Sequence, residues 1–218
     1  MEENVNGREG LSAIIRRRRT LKVLGDIAEP RQIDPGVARD GQKTIKGALA
    51  DAGWAPFHYD RGVGGLAEPW RAHLLWHPKC RWLAEQFTEW FPDAGPTNKL
   101  PRMLAGCGAL ALITWLPEFR GEENSSPKQQ AIDDEHLAAT AAMVQNFLLL
   151  LTAAGMGTYW SSGGQLGSGL CFEKLGIPSG ERLLAAVFIE YPEQCEEPME
   201  RVPGKLRESR STDWIREI

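Results

Sequence analysis

Cysteine is scarce and scattered in this 218-residue chain: Cys80, Cys107, Cys171 and Cys195 form no CxxC pair and have no histidine at ligand spacing. A disulfide framework and a zinc site are therefore not expected, and a reducing, cytoplasmic compartment suits the chain best. Positive charge is not in excess. Lys and Arg number 25 against 29 Asp and Glu, a net charge of −4, so nucleic acid, which wants a basic surface, is not an expected partner. The start, MEENVNGREG, lacks an apolar core after a basic opening, and no secretory signal is read there. The longest apolar stretch falls short of the ~20 residues a membrane span needs, so no membrane partner is expected. Sequence patterns that carry chemistry unaided are missing too: no GxSxG, no HExxH, no GxxxxGK, no GxGxxG after a strand. His73 and His77 lie in or beside a predicted strand, where a structural role outweighs a catalytic one. An enzyme without such groups leaves the chemistry to a cofactor.

What is present is a long apolar segment from Asp133 to Gly164. Leu137, Ala141, Val144, Leu148, Leu151 and Gly155 recur at helical steps, and Ala142, Met143, Phe147, Leu150 and Ala154 make the opposite side apolar as well. A helix apolar all round is expected to be buried on every side, as the central helix of one chain or one shared between two subunits. It stops at Gly155-Met156-Gly157, and the small residues that follow, Thr158 to Gly164, allow a flat ligand close to the backbone. Hydrophobic residues make up 42% of the chain, enough for a real core, and the 8 tryptophans point to large buried surfaces.

Along the chain, Leu11–Arg19 reads as a short helix ending in four consecutive arginines, and Val37–Ala52 as an amphipathic one. A glycine-rich loop, Phe57 to Glu68, precedes a strand over Arg71–Trp76 and a helix over Lys79–Phe91. Pro92–Pro101 is turn-rich. Cys107–Trp115 and Leu183–Tyr191 are continuous apolar runs of central-strand type, and Leu166–Leu175 is a short helix. The polar stretch Leu116–Gln130 suits a mobile lid and an ordinary surface loop equally. The charged tail carries Trp214, an anchor that suggests wrapping over something, a partner subunit included. One domain is expected, with residues 10–203 as core and 204–218 as an extension, in the α+β class.

Four separated stretches resemble one family, the FMN-dependent nitroreductases. Arg18-Arg19-Thr20-Leu21-Lys22 is similar to the family's N-terminal Arg-Arg-Ser-x-Arg/Lys. Ala55-Pro56-Phe57-His58, followed by Glu68-Pro69-Trp70-Arg71, resembles Ala-Pro-Ser/Asp-x-x-Asn-x-Gln-Pro-Trp. Gln145-Asn146 and Gly155-Met156-Gly157-Thr158-Tyr159-Trp160 resemble Gln-Asn-Leu and Gly-Leu-Gly-x-x-Trp. Leu175-Gly176-Ile177-Pro178 and Arg201-Val202-Pro203 match the family's end. Order and spacing run from Arg18 to Pro203.

The resemblance implies a mostly antiparallel sheet flanked by helices, with the long helix at the interface of a homodimer that holds two FMN. It implies a phosphate site of Arg18, Arg19, Thr20 and Arg201, a charge set suited to a dianion. Lys22 would lie beside the pyrimidine edge as the catalytic residue, where a cation stabilises charge that gathers at N1 and O2 on reduction. Pro56, Phe57, His58 and Glu68 would also contact the cofactor, as would the backbone of Trp160, Ser161, Ser162 and Gly163, one amide facing N5. The implied activity is ping-pong transfer of hydride from NAD(P)H, through the flavin, to a small electron-poor acceptor such as a nitroaromatic or quinone. Departures are an elongated Arg61–Ala67 loop, a missing Asn, and Glu68 in place of Gln. They leave room for an alternative: a flavin-binding protein with a different redox reaction or little turnover.

Overall fold

The computed structural model describes residues 3–94, 98–119, 125–204 and 211–217. The elements in order are α1 (Glu3–Arg17), β1 (Leu21–Leu24), α2 (Pro35–Ala52), β2 (Trp70–Trp76), α3 (His77–Trp90), α4 (Leu100–Gly106), β3 (Ala109–Trp115), α5 (Pro127–Ala153), β4 (Gly157–Ser161), α6 (Gly169–Leu175), β5 (Arg182–Glu190), α7 (Pro192–Cys195) and β6 (Glu200–Pro203). The class is α+β, as expected.

A four-stranded antiparallel sheet in the order β2-β3-β5-β4 forms the middle layer. Every residue of β3 is buried, because helices cover both faces. On one face α5 and α2 pack over Ala109, Ala111, Ile113, Ala185, Val187 and Ile189. On the other, Leu110, Leu112, Ala186 and Phe188 meet the side chains of α3, α4 and α6. A separate two-stranded ribbon, β1 with β6, pairs Lys22 with Val202 and Val23 with Arg201, and β1 packs on α4 and β4.

Local chemistry sets the helix starts. Asp34 Oδ1 accepts from Gly36 N (2.7 Å) and Val37 N (3.2 Å) at the head of α2, with Pro35 in the first turn. Ser126 and Gln129 form a reciprocal capping box that opens α5, again with proline in the first turn. The helix therefore begins at Pro127, inside the stretch read as loop, and residues 120–124 of that stretch lie outside the described residues, as do 95–97 and 205–210.

Within the single chain α5 is buried along one side only. The buried residues of α5 form one stripe: Asp133, His136, Ala139, Thr140, Met143, Val144, Phe147, Leu148, Leu151 and Thr152. Leu137, Ala141, Ala142, Leu149 and Leu150 are only partly covered. With 27 residues, and an 18-residue window of mean hydropathy 1.4, α5 is long and apolar enough to cross a membrane, but here its stripe packs in the core of the chain. Its open side forms a groove of about 260 Å³ lined by Leu11, Ile14, Asp51, Asn146, Leu149, Leu150 and Ala153. Arg17 Nη2 donates to Thr152 O (3.1 Å), placing a cation on the carbonyl end of α5 and tying α1 to it.

Candidate functional site

The helical register of α1 ends at Arg17, so Arg18 begins the turn into β1. Its guanidinium folds forward, Nη1 donating to Thr20 Oγ1 at 3.1 Å, while Arg19 is exposed. Thr20 is fixed through its backbone, whose carbonyl accepts from Gly204 N at 3.0 Å as the ribbon pairs. Lys22 is half-buried on β1, and its Nζ lies 4.8 Å from the centre of the Tyr159 ring on β4. Strand alternation explains the meeting. Tyr159 packs in the core layer on the α3/α4 side, whereas Trp160, its neighbour, packs on the α5 side.

The first part of Thr158 to Gly164 is strand. The free edge of β5 supplies the ladder, pairing Thr158 with Ile189, Tyr159 with Phe188, Trp160 with Val187 and Ser161 with Ala186. After Ser161 the chain turns. Ser161 Oγ accepts from Gly163 N (3.1 Å), Ser162 is exposed, and Gly163 is buried at φ +89. A Cβ at Gly163 would collide with Leu183 Cδ2 and adopt a conformation that L side chains avoid, so only glycine fits this turn. The result is a small, backbone-walled ledge at the end of β4, on the strand that carries Tyr159 and hence Lys22.

The second group of expected residues lies elsewhere in the chain. Phe57 stands edge-on to Trp70, ring centres 5.5 Å apart, in the layer beneath α5. Pro56 is exposed, and His58, 80% exposed, contacts Glu135 of α5 through Nδ1. Glu68 is half-buried, its carbonyl accepting from Arg71 Nη1 at 2.9 Å. Among the described residues, no hydrogen bond, ion pair or ring contact joins Pro56, Phe57, His58 or Glu68 to Thr20 or Lys22.

Arg201, expected at the phosphate, meets protein groups in the folded chain. Its guanidinium is engaged by Glu190 (Nη2 to Oε1 3.0 Å, Nε to Oε2 3.3 Å) and by the carbonyls of Glu197 (2.8 Å) and Gln194 (2.7 Å). Glu190 is buried, so it demands cations, and Arg31 Nη1 supplies a second at 3.0 Å. The spacing of Arg-x-Pro could not reveal this, because the partner lies on β5.

Sequence reasoning also missed a buried polar cluster at the Arg182 end of the sheet. Glu181 Oε2 lies 2.7 Å from His73 Nε2 and accepts from Thr114 Oγ1. No signal in the sequence links residues 73, 114 and 181; β2, β3 and the residue before β5 bring them together. On α3, burial and then the nearby Arg81 push the His77 imidazole down.

The donor set suits a phosphorylated, planar cofactor. Two guanidinium groups and a hydroxyl precede the ribbon, a lysine sits two residues on, and β1 packs on the strand that ends at the Gly163 turn. Residues 42–189 match the Nitroreductase family. The chain belongs to that family. A curated relative, "Putative NAD(P)H nitroreductase YfhC" of Bacillus subtilis (strain 168), is 33% identical over 89 residues, which is 41% of this chain and 43% of that protein. The match thus spans less than half the length of that relative. Solved structures share the fold. A nitroreductase-like family protein from Bacillus cereus aligns over 92% of this chain and 94% of its own, with 23% identity and a TM-score of 0.60. A putative nitroreductase in complex with FMN from Desulfovibrio desulfuricans covers 84% and 86%, with 19% identity and a TM-score of 0.52. Nitroreductase CinD from Lactococcus lactis, in complex with chloramphenicol, covers 83% and 88%, with 14% identity and a TM-score of 0.59. The nitroreductase-like fold expected from the four stretches is the fold of this chain.

Proposed function

We propose that this nitroreductase-family protein is an FMN-dependent NAD(P)H oxidoreductase. The observation that carries the reading is the meeting of β1 and β4, which sets Arg18, Thr20 and Lys22 beside the strand that leads to the Gly163 ledge. Arg18 and Thr20, with Arg19, would hold the phosphate through charge-assisted hydrogen bonds. Lys22 would stand at the pyrimidine edge, and the backbone of Trp160, Ser161, Ser162 and Gly163 would line the ring. Bound FMN would supply the two-electron chemistry, accepting hydride from NAD(P)H and passing it to an electron-poor acceptor such as a nitroaromatic or quinone in ping-pong fashion. A solved relative carries FMN, and the curated relative is named for NAD(P)H, which supports both choices.

The working unit in this proposal is a homodimer. The open apolar side of α5 and its groove with α1 support it, as does Trp54, 88% exposed beside Ala55-Pro56. Among the described residues no hydrogen bond, ion pair or ring contact joins the Pro56–His58 stretch to Thr20 or Lys22 within one chain, and a second chain would bring both groups to one cofactor. Trp214 is 76% exposed and free to serve the same contact.

FMN titration of flavin-free protein, followed by anaerobic mixing with NADPH, tests the reading. Flavin fluorescence should change on binding, and the oxidised flavin band should bleach within seconds. Retention of FAD in place of FMN, or no binding at all, overturns it; binding without bleaching over minutes leaves a flavin binder, not this enzyme.

A further inference from the structure

Among the described residues three lysines sit over aromatic rings, and one differs in its surroundings. Lys46 over Trp76 (5.8 Å) and Lys79 over Trp82 (3.4 Å) are solvent-exposed, whereas Lys22 over Tyr159 (4.8 Å) is half-buried. Other cations along the ribbon are matched by carboxylates: Arg102 by Glu200, Arg201 and Arg31 by Glu190. Among the described residues Lys22 has no ion-pair partner. Its neighbour is a ring, which attracts an ammonium without carrying net charge.

We propose that Tyr159 is the positioning residue for Lys22: its ring face holds the ammonium at the β1–β4 junction with its charge uncompensated, and so makes the site prefer reduced over oxidised flavin. The proposal rests on the FMN reading above. A carboxylate in the place of Tyr159 would hold the lysine equally well and cancel its field. An aliphatic side chain would preserve the field and leave a flexible four-carbon stem unfixed. The ring avoids both faults. Tyr159 is itself held, since it pairs with Phe188 in the β4–β5 ladder and the two rings lie 6.2 Å apart. The path from the core to the cation is thus Phe188, Tyr159, Lys22. Reduction places negative charge on the flavin, so a cation fixed nearby acts on that state selectively, as preorganised charge does.

The test uses the full chain as wild type, Tyr159→Phe, Tyr159→Leu, Lys22→Ala and the Tyr159→Leu/Lys22→Ala double variant. In flavin-free protein, NMR of the Lys22 ε-methylene should show an upfield ring-current shift that Tyr159→Phe keeps and Tyr159→Leu loses. In FMN-loaded protein, the ratio of dissociation constants for oxidised and reduced FMN, read from the midpoint potential, should fall about tenfold in Tyr159→Leu, which is about 30 mV for a two-electron couple. Tyr159→Phe should retain the wild-type ratio, and the double variant should match Lys22→Ala. A Tyr159→Leu effect that persists undiminished without Lys22, or that weakens both flavin states equally, overturns the proposal and leaves Tyr159 as packing. Wild-type protein that binds no FMN removes the proposed function and this inference together. Wild-type protein that binds FMN, with the ratio unmoved by Tyr159→Leu, removes this inference alone.

Discussion

Arg201 Nη2 lies 3.0 Å from Glu190 Oε1, on a carboxylate oxygen that Arg31 Nη1 also reaches at 3.0 Å. The contact fastens β6 to the end of β5 and so fixes the ribbon that carries Lys22. Glu190→Ala leaves Arg201 with carbonyls alone and Arg31 with Glu197, and should cost about 3 kcal/mol of stability in urea unfolding. Arg201→Ala leaves Glu190 with Arg31 and should cost less, about 1–3 kcal/mol. Its FMN dissociation constant should rise no more than about threefold, which is under 1 kcal/mol of binding energy. A large loss of FMN with stability intact would return Arg201 to the phosphate.

Lys22→Ala and Arg18→Ala should fail in opposite ways. The phosphate keeps its charge throughout turnover, so Arg18 binds both flavin states alike and its loss weakens retention. Lys22 meets charge that appears only on reduction. Losing about 1.4 kcal/mol there slows single-turnover reduction by NADPH roughly tenfold. Fully FMN-loaded Lys22→Ala that is reduced at the wild-type rate would contradict its placement.

Gly163→Ala should lower the melting temperature and FMN affinity together. The new methyl strikes Leu183 and the residue is held at φ +89, a strain of order 1–3 kcal/mol. Relief moves the ledge, and with it the amides expected along the ring. Calorimetry with and without FMN checks this; a variant that unfolds earlier yet keeps its affinity would detach the ledge from the cofactor.

Asp133 governs the loops at the head of α5. Its oxygens accept from Glu118 N (2.7 Å) and Phe119 N (3.0 Å), while Arg61 donates to the carbonyls of Leu116 and Pro117, both at 2.9 Å. The start of the stretch read as a lid or surface loop is therefore clamped. Asp133→Ala leaves two amides unpaired and should cost about 2 kcal/mol. Hydrogen exchange should quicken at residues 116–119 and, through Arg61, in the Phe57–Glu68 loop. Unchanged exchange in the second loop would show that the two are not coupled.

Burial of Cys171 raises its thiol from 9.0 to about 11. The folded chain keeps the thiol neutral while the unfolded chain ionises it from pH 9 upward. Its contribution, about 2–3 kcal/mol for a shift of this size, is complete below pH 9 and disappears as pH rises through 11. Wild type should lose stability between pH 8.5 and 10.5 more steeply than Cys171→Ala in urea titrations at each pH. Parallel slopes would remove Cys171 as the cause.

The sequence by itself determined the class, the order of the long elements and the family resemblance. Helical periodicity and apolar runs of strand length depend on neighbours a few residues apart, so α2, α3, α5, β2, β3 and β5 were legible. The arginine run with Lys22, and the glycines after Trp160, were legible for the same reason. The tertiary structure decided what depends on distant partners. β1, β6 and β4 are four or five residues long, too short for a period, and exist because another strand offers a ladder. Helix α4 begins at the end of a stretch that reads as turn-rich, with Pro101 in the first turn of the helix. Composition made α5 apolar on every side, but only packing chose which stripe meets the sheet and which stays open. Arg201 and Lys22 show the limit most clearly. Both are cations on paired strands, and sequence placed both at the cofactor. A buried Glu190 pairs with one, because a carboxylate out of water must be neutralised, and the other meets the Tyr159 ring with no ion-pair partner among the described residues.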